Sequence, residues 1–226
     1  LFYASYRKIS IKSPVFIVGM PRSGTTFLHK LLASDTERFT TMRLWEILLA
    51  PSISQKKIAV IMSKIGATRA GIPMKALRQF DKWIFRDYDP IHPLSLFNIE
   101  EDDYLFFHVF TSSHLLFWFP SIQWLYLNIK FDDQIDEASK SRQIRYYRNC
   151  IKKHLYVFGK GRTYLAKSPM HTLRLNSLRR CFPDIVTINL VRLPHEVIPS
   201  TISLFRMFAR IFHTPVSMDT LQRWAL

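Results

Sequence analysis

Three short stretches combine cations and hydroxyls in ways that could hold an anion. The first is Gly19-Met-Pro-Arg-Ser-Gly24, followed by Thr25-Thr26. Two glycines bracketing four residues have the spacing of a P-loop, yet Thr25-Thr26 stand where such a loop carries Lys followed by Ser or Thr. The cation sits inside the loop instead, at Arg22, whose forked guanidinium suits a phosphate or a sulfonate. Loss of the lysine argues against a magnesium-dependent nucleotide triphosphatase. The second stretch is Lys167-Ser-Pro-Met-His171, and the third runs from Arg192 to Ser200. Fixed cations of this kind can stabilise charge that moves onto a leaving phosphate, as magnesium does elsewhere.

Each stretch follows a short apolar run. Val15–Val18 are apolar and end at Gly19, which is how a strand buried on both faces of a parallel sheet reads. From Thr25 onward Phe27, Leu28, Leu31 and Leu32 recur at helical spacing. A strand, a glycine-bracketed loop and a helix build an anion site, because the first amides of the helix lack partners. Thr163–Ala166 predicts a second strand ending at Lys167, followed by a helix over Leu173–Cys181. Ile185–Val191 predicts a third buried strand ahead of another helix. Alternation of strands and helices predicts an α/β fold, a three-layer parallel sheet flanked by helices. Ligands in such sheets lie at the carboxyl ends of the strands, so the three stretches converge. Gly159-Lys-Gly161 lacks the third glycine of a dinucleotide fold.

The remainder is helical in pattern. Two amphipathic helices are expected from Ser54 to about Arg86, carrying Ile58, Ile61, Ile65, Leu77, Phe80 and Ile84, with a break at Gly71-Ile-Pro73. Another spans Asp132–Phe158. Glu100–Asp103 suits the first turn of a helix, where acids complement the dipole. Tyr104–Ile129 holds 26 residues without Asp, Glu, Lys or Arg, long enough for a membrane span. Scattered His, Ser, Asn and Gln oppose that, and a span would separate the Gly19 loop from the later strands. The stretch therefore reads as two aromatic helices meeting at Pro120 and forming a lid or acceptor pocket, with membrane-surface contact as the lesser option.

With 226 residues, 48% of them hydrophobic, the chain can bury a full core and disorder is excluded. A net charge of +15 calls for an anionic partner. The basic residues are dispersed rather than gathered in a tract, so a nucleic-acid partner is not expected. Cys150 and Cys181 are the only cysteines, which excludes a disulfide framework and a cysteine metal site. The chain begins at Leu1 and reads as a fragment of one domain, with its compartment open between the cytoplasm and the Golgi.

Taken together, the motifs resemble the sulfotransferases that use 3′-phosphoadenosine 5′-phosphosulfate (PAPS). VGMPRSGTT is similar to their 5′-phosphosulfate loop, and VRLPHEVIPS to their 3′-phosphate segment. AKSPMHTLRLNSL followed by FPD resembles the lysine-proline segment of the tyrosylprotein branch. The resemblance covers roughly residues 14 to 208. It implies the P-loop-like sulfotransferase fold, PAPS as co-substrate without a metal, and an acceptor hydroxyl on a small, carbohydrate or lipophilic molecule. Donor contacts would come from Arg22, Ser23, Gly24, Thr25, Thr26, Arg192 and Ser200, and catalytic groups from Arg22, Lys167 and Glu46. Leu193 departs from the family's aspartate, and the chain stops before the family's closing segment.

Glu46 follows the first helix at about the place of the tyrosylprotein enzymes' catalytic glutamate. Shielding beside Trp45 would raise its pKa and suit it as the base. His171, His92 and the Glu100–Asp103 cluster compete for that role. A P-loop kinase and a non-catalytic nucleotide-binding remnant are the alternative functions.

Overall fold

Val15–Gly19 forms β1, and every one of its side chains is buried, as its unbroken apolar run predicts. The structure is a computed structural model that describes residues 3–49, 51–68, 72–86, 94–119, 122–159 and 161–211. β1 lies inside a parallel sheet with β2 (Phe39–Thr40), β3 (Thr163–Lys167) and β4 (Val186–Leu190), in the order β2-β3-β1-β4. Val15 pairs with Leu165 on one side and Val186 on the other, so β4 ends level with Gly19 of β1, and β3 ends at Lys167 opposite Ile17.

Alternation along β1 creates two cores. Val15 and Ile17 pack with Leu165 and with Leu28 and Leu32 of helix α1 (Thr25–Ala33). Phe16 and Val18 face the other way, toward Ile144, Tyr147 and Ile151 of α6 (Glu137–His154) and Leu178 of α7 (Leu175–Cys181). Helices on both faces of the sheet make the expected three layers. The remaining helices are α2 (Leu44–Leu48), α3 (Ile53–Thr68), α4 (Ile72–Phe85), α5 (Phe131–Gln134) and α8 (Pro194–Ile211). α8 continues through Pro199 as one helix.

Several expectations are corrected. β4 is half-exposed, with Val186 and Asn189 open to solvent, because no described strand pairs with its outer edge. β2 is two residues long, with no apolar run to announce it. The segment Ala4–Lys8 lies against α6, where Lys152 Nζ donates to the Arg7 carbonyl. Phe27 and Leu31 of α1 are exposed, leaving Leu28 and Leu32 as its packing stripe.

Tyr104–Ile129 forms no long helix. Short 3-10 turns cover Asp102–Val109, Ser113–Phe117 and Gln123–Lys130. Phe110, at φ 55°, ends the first turn, and Ser112 caps the second by accepting from the His114 amide. Local hydroxyl bonding of this kind competes with a continuous helix. Pro120, the expected junction, lies outside the described residues. Among the described residues no helix is long and apolar enough to cross a membrane.

Candidate functional site

The Gly19 loop closes against the end of β4. Gly19 adopts φ +132°, and a Cβ there would lie 2.3 Å from the Leu190 carbonyl oxygen, so a side chain is excluded. Its amide donates to Thr172 Oγ1 at 3.1 Å. Ser23 Oγ donates to the Met20 carbonyl at 2.7 Å and ties the loop to itself. Arg22 takes φ 67°, and Gly24, at φ 95°, enters α1 without any side-chain cap. The opening amides of α1 thus have no side-chain acceptor from the capping residue, the arrangement that suits an anion at a helix start.

Three separate segments meet at this loop. Arg22 Nε donates to Ser200 Oγ at 3.0 Å, joining the loop to α8 across 178 residues of sequence. Arg192 Nη1 donates to the Arg22 carbonyl at 3.2 Å, while its Nε pairs with Glu196 at 2.8 Å in a half-exposed contact. Lys167, at the end of β3, is 1% exposed and donates to Thr26 Oγ1 at 3.2 Å and Glu101 Oε1 at 2.9 Å. Thr25, which follows Gly24, is buried in the first turn of α1. The sequence-predicted donor contacts are therefore brought together, with Lys167 beneath the start of α1.

The acidic run is more than a helix start. Glu101 bridges Lys167 and Ser168 Oγ, the latter at 2.9 Å, and its side chain is 12% exposed. Burial alone would raise its carboxyl pKa, but Lys167, His114 and Ser168 outweigh burial and hold it below the usual range. Asp102 accepts from Tyr164 at 2.8 Å and from Tyr147 in a short bond, and pairs with His171 at 2.8 Å. Asp103 pairs with Arg174 at 3.2 Å and His114 at 3.0 Å. Three successive carboxylates face three different partners, which the bare run of acids did not disclose.

His171 is fully buried between Asp102 and Tyr147. His92 lies outside the described residues. His29, unremarked in the sequence, is buried on α1 and joined to Thr41 Oγ1 at 2.8 Å. Burial first, and the charge of Lys167 second, lower its pKa to about 3, so it is neutral.

Glu46 departs most from expectation. It is 4% exposed, with Oε1 contacting Lys56 Nζ at 3.2 Å and His154 Nδ1 at 3.0 Å. Oε2 accepts the Arg43 amide at 2.9 Å and closes the first turn of α2. Burial pushes its pKa up, but His154, Lys56 and the Arg43 amide together bring it down to about 2. The expected upward shift is reversed because the pocket around Trp45 contains a buried lysine and a histidine. Among the described residues no cluster of His, Cys, Asp or Glu could hold a metal ion.

This arrangement has counterparts among known proteins. The chain is 28% identical over 202 residues to the omega-hydroxy-beta-dihydromenaquinone-9 sulfotransferases Stf3 of Mycobacterium bovis and Mycobacterium tuberculosis. The alignment takes in 88% of this chain and 46% of each relative, so the chain spans about half their length. The crystal structure of sulfotransferase STF9 from Mycobacterium avium superposes with a TM-score of 0.73 at 19% identity, covering 99% of this chain and 54% of that one. STF1 from Mycobacterium tuberculosis H37Rv superposes at 0.58 and 20% identity, covering 91% of this chain and 52% of its own. These likenesses carry the fold. A family model described as the sulfotransferase family matches residues 14–226, and the chain belongs to that family.

Proposed function

We propose that this site transfers the sulfonate of PAPS to an acceptor hydroxyl. One observation carries the proposal: Arg22, Thr26, Lys167 and Ser200, from four segments, surround the uncapped start of α1 at the carboxyl edge of the sheet. The Arg22 loop, with Ser23, Gly24, Thr25 and Thr26, would hold the 5′-phosphosulfate. Arg192 and Ser200 would hold the 3′-phosphate. The acceptor oxygen attacks sulfur, the bond from sulfur to the bridging phosphate oxygen breaks, and adenosine 3′,5′-bisphosphate leaves. Lys167 and Arg22 neutralise the charge that builds on the bridging and peripheral oxygens. The acceptor's proton goes to a carboxylate, and Glu101 suits that role better than Glu46. Glu101 adjoins Lys167 at the carboxyl edge of the sheet, whereas Glu46 belongs to a separate buried network with Lys56 and His154. A lipophilic alcohol is the favoured acceptor, by likeness to the relatives that act on an omega-hydroxy menaquinone.

Calorimetry with adenosine 3′,5′-bisphosphate tests the donor assignment. Binding is expected to survive chelator and to exceed that of 5′-AMP and of ATP with magnesium. Arg192→Ala should weaken it by about ten- to a hundredfold, the cost of a charge-assisted contact of roughly 1.5–3 kcal/mol. Equal affinity for 5′-AMP in the unmutated protein refutes the 3′-phosphate site.

Lys167→Ala is expected to depress turnover by about 10²–10³ and bisphosphate affinity far less, since it would act on the transferring sulfonate, which the bisphosphate lacks. Single-turnover transfer measured beside calorimetry separates the two. Unaltered turnover would leave Lys167 with no part in the chemistry.

A further inference from the structure

Helices α3 and α4 pack together, and each turns one charged side chain inward while apolar side chains stand outside. On α3 Lys56, 1% exposed and bound to Glu46, is buried along with Ile53, while Ile58, Ile61 and Met62 stand in solvent. On α4 the buried side chain is Asp81, whose carboxylate accepts from Ser95 Oγ and the Leu96 amide, each at 2.7 Å. Leu77, Phe80 and Trp83 are exposed, Trp83 by 61%, although their spacing describes the stripe a surface helix ordinarily buries. Exposed apolar surface on this scale marks an interaction site.

Charge says what that site meets. Of the charged residues between 53 and 86, Lys56 and the single acid, Asp81, point inward, while Lys64, Lys75, Arg78, Lys82 and Arg86 are exposed. Lys75 and Lys82 are exposed on α4 among its apolar residues. The outward surface is therefore apolar and cationic, with an aromatic pair at 6.0 Å between ring centroids (Phe80 and Trp83). Basic residues interleaved with Trp, Phe and Ile are what a helix needs to lie at the headgroup boundary of an anionic bilayer. Lysine stems can run along apolar surface while the ammonium reaches the phosphates. A second copy of the chain would bring like charge against like charge.

We propose that α4, with α3 beside it, is a docking surface for a membrane rich in acidic phospholipid. The surface shares no residue with the donor site. The test is cosedimentation of the full-length protein with vesicles of phosphatidylcholine alone or of equimolar phosphatidylcholine and phosphatidylglycerol. Binding to the acidic vesicles is expected to be at least about tenfold tighter and to weaken with salt. The pairs Phe80→Glu/Trp83→Glu and Lys75→Glu/Lys82→Glu should each lower it by about tenfold or more. Bisphosphate affinity should stay unchanged in both variants. It reports on the donor site separately, so failure of either proposal is distinguishable from failure of the other. No preference for acidic vesicles, or retention by both variants, overturns the proposal. So does a dimer that the aromatic pair of substitutions dissociates without vesicles, which would assign the surface to a second copy. Protection of α4 amides from hydrogen exchange by another segment of the vesicle-free chain overturns it equally.

Discussion

Glu101→Gln is expected to lower sulfonate transfer by about 10²–10⁴ while bisphosphate affinity holds, because the amide keeps the shape and removes the proton acceptor. In the unliganded site Lys167 Nζ lies 2.9 Å from Glu101 Oε1 and helps hold the carboxylate ionised. A bound sulfonate competes for that ammonium. As Lys167 turns toward it, Glu101 loses a counter-charge that opposes burial, and its pKa rises toward the range of an effective base. The base would thus become competent when the donor arrives. Single-turnover transfer by Glu101→Gln, Glu46→Gln and His171→Asn distinguishes the three groups. Normal transfer by Glu101→Gln, with loss in Glu46→Gln at unchanged bisphosphate affinity and folding, would return the role to Glu46.

Glu46→Ala is expected to cost about 3–5 kcal/mol of folding stability, because it leaves Lys56, 1% exposed, without the carboxylate that offsets its burial. Urea unfolding measures this. The double variant Glu46→Leu/Lys56→Met should recover much of the loss, since a buried pair removed together leaves no stranded charge. The pH dependence follows from the carboxyl pKa, lowered from 4.5 to about 2 on folding. The unfolded chain binds this proton more readily, so the contribution is complete above about pH 4.5 and disappears as pH falls toward 2. A shift of that size is worth about 3 kcal/mol. A loss under 1 kcal/mol in Glu46→Ala, or stability flat between pH 5 and 2.5, would contradict the network.

The central strand and its loop were legible because they are local. Val15–Val18 had nowhere to go but a buried parallel strand, and Gly19 and Gly24 marked the two backbone turns around Arg22. The same locality misled at β4, where an apolar run reads alike in the middle of a sheet and at its edge. At α3 and α4 it gave both helices, but helical spacing reports the existence of an apolar stripe and not the direction it faces.

The sequence by itself determined the fold class, the family resemblance and the anion loop, all of which rest on spacing within a few residues. Only the tertiary structure decided what each carboxylate contacts. Glu46 stands alone beside Trp45 and Glu101 stands in a run of four acids, but neither setting discloses the partner that each carboxylate meets. Lys56 and His154 fill the first one's surroundings, and Lys167 and Ser168 the second's. His154 lies 108 residues from Glu46, and Lys167 lies 66 from Glu101. A carboxylate's protonation and reactivity are set by charges within a few ångströms, and the partners that chain folding brings there are often remote in sequence.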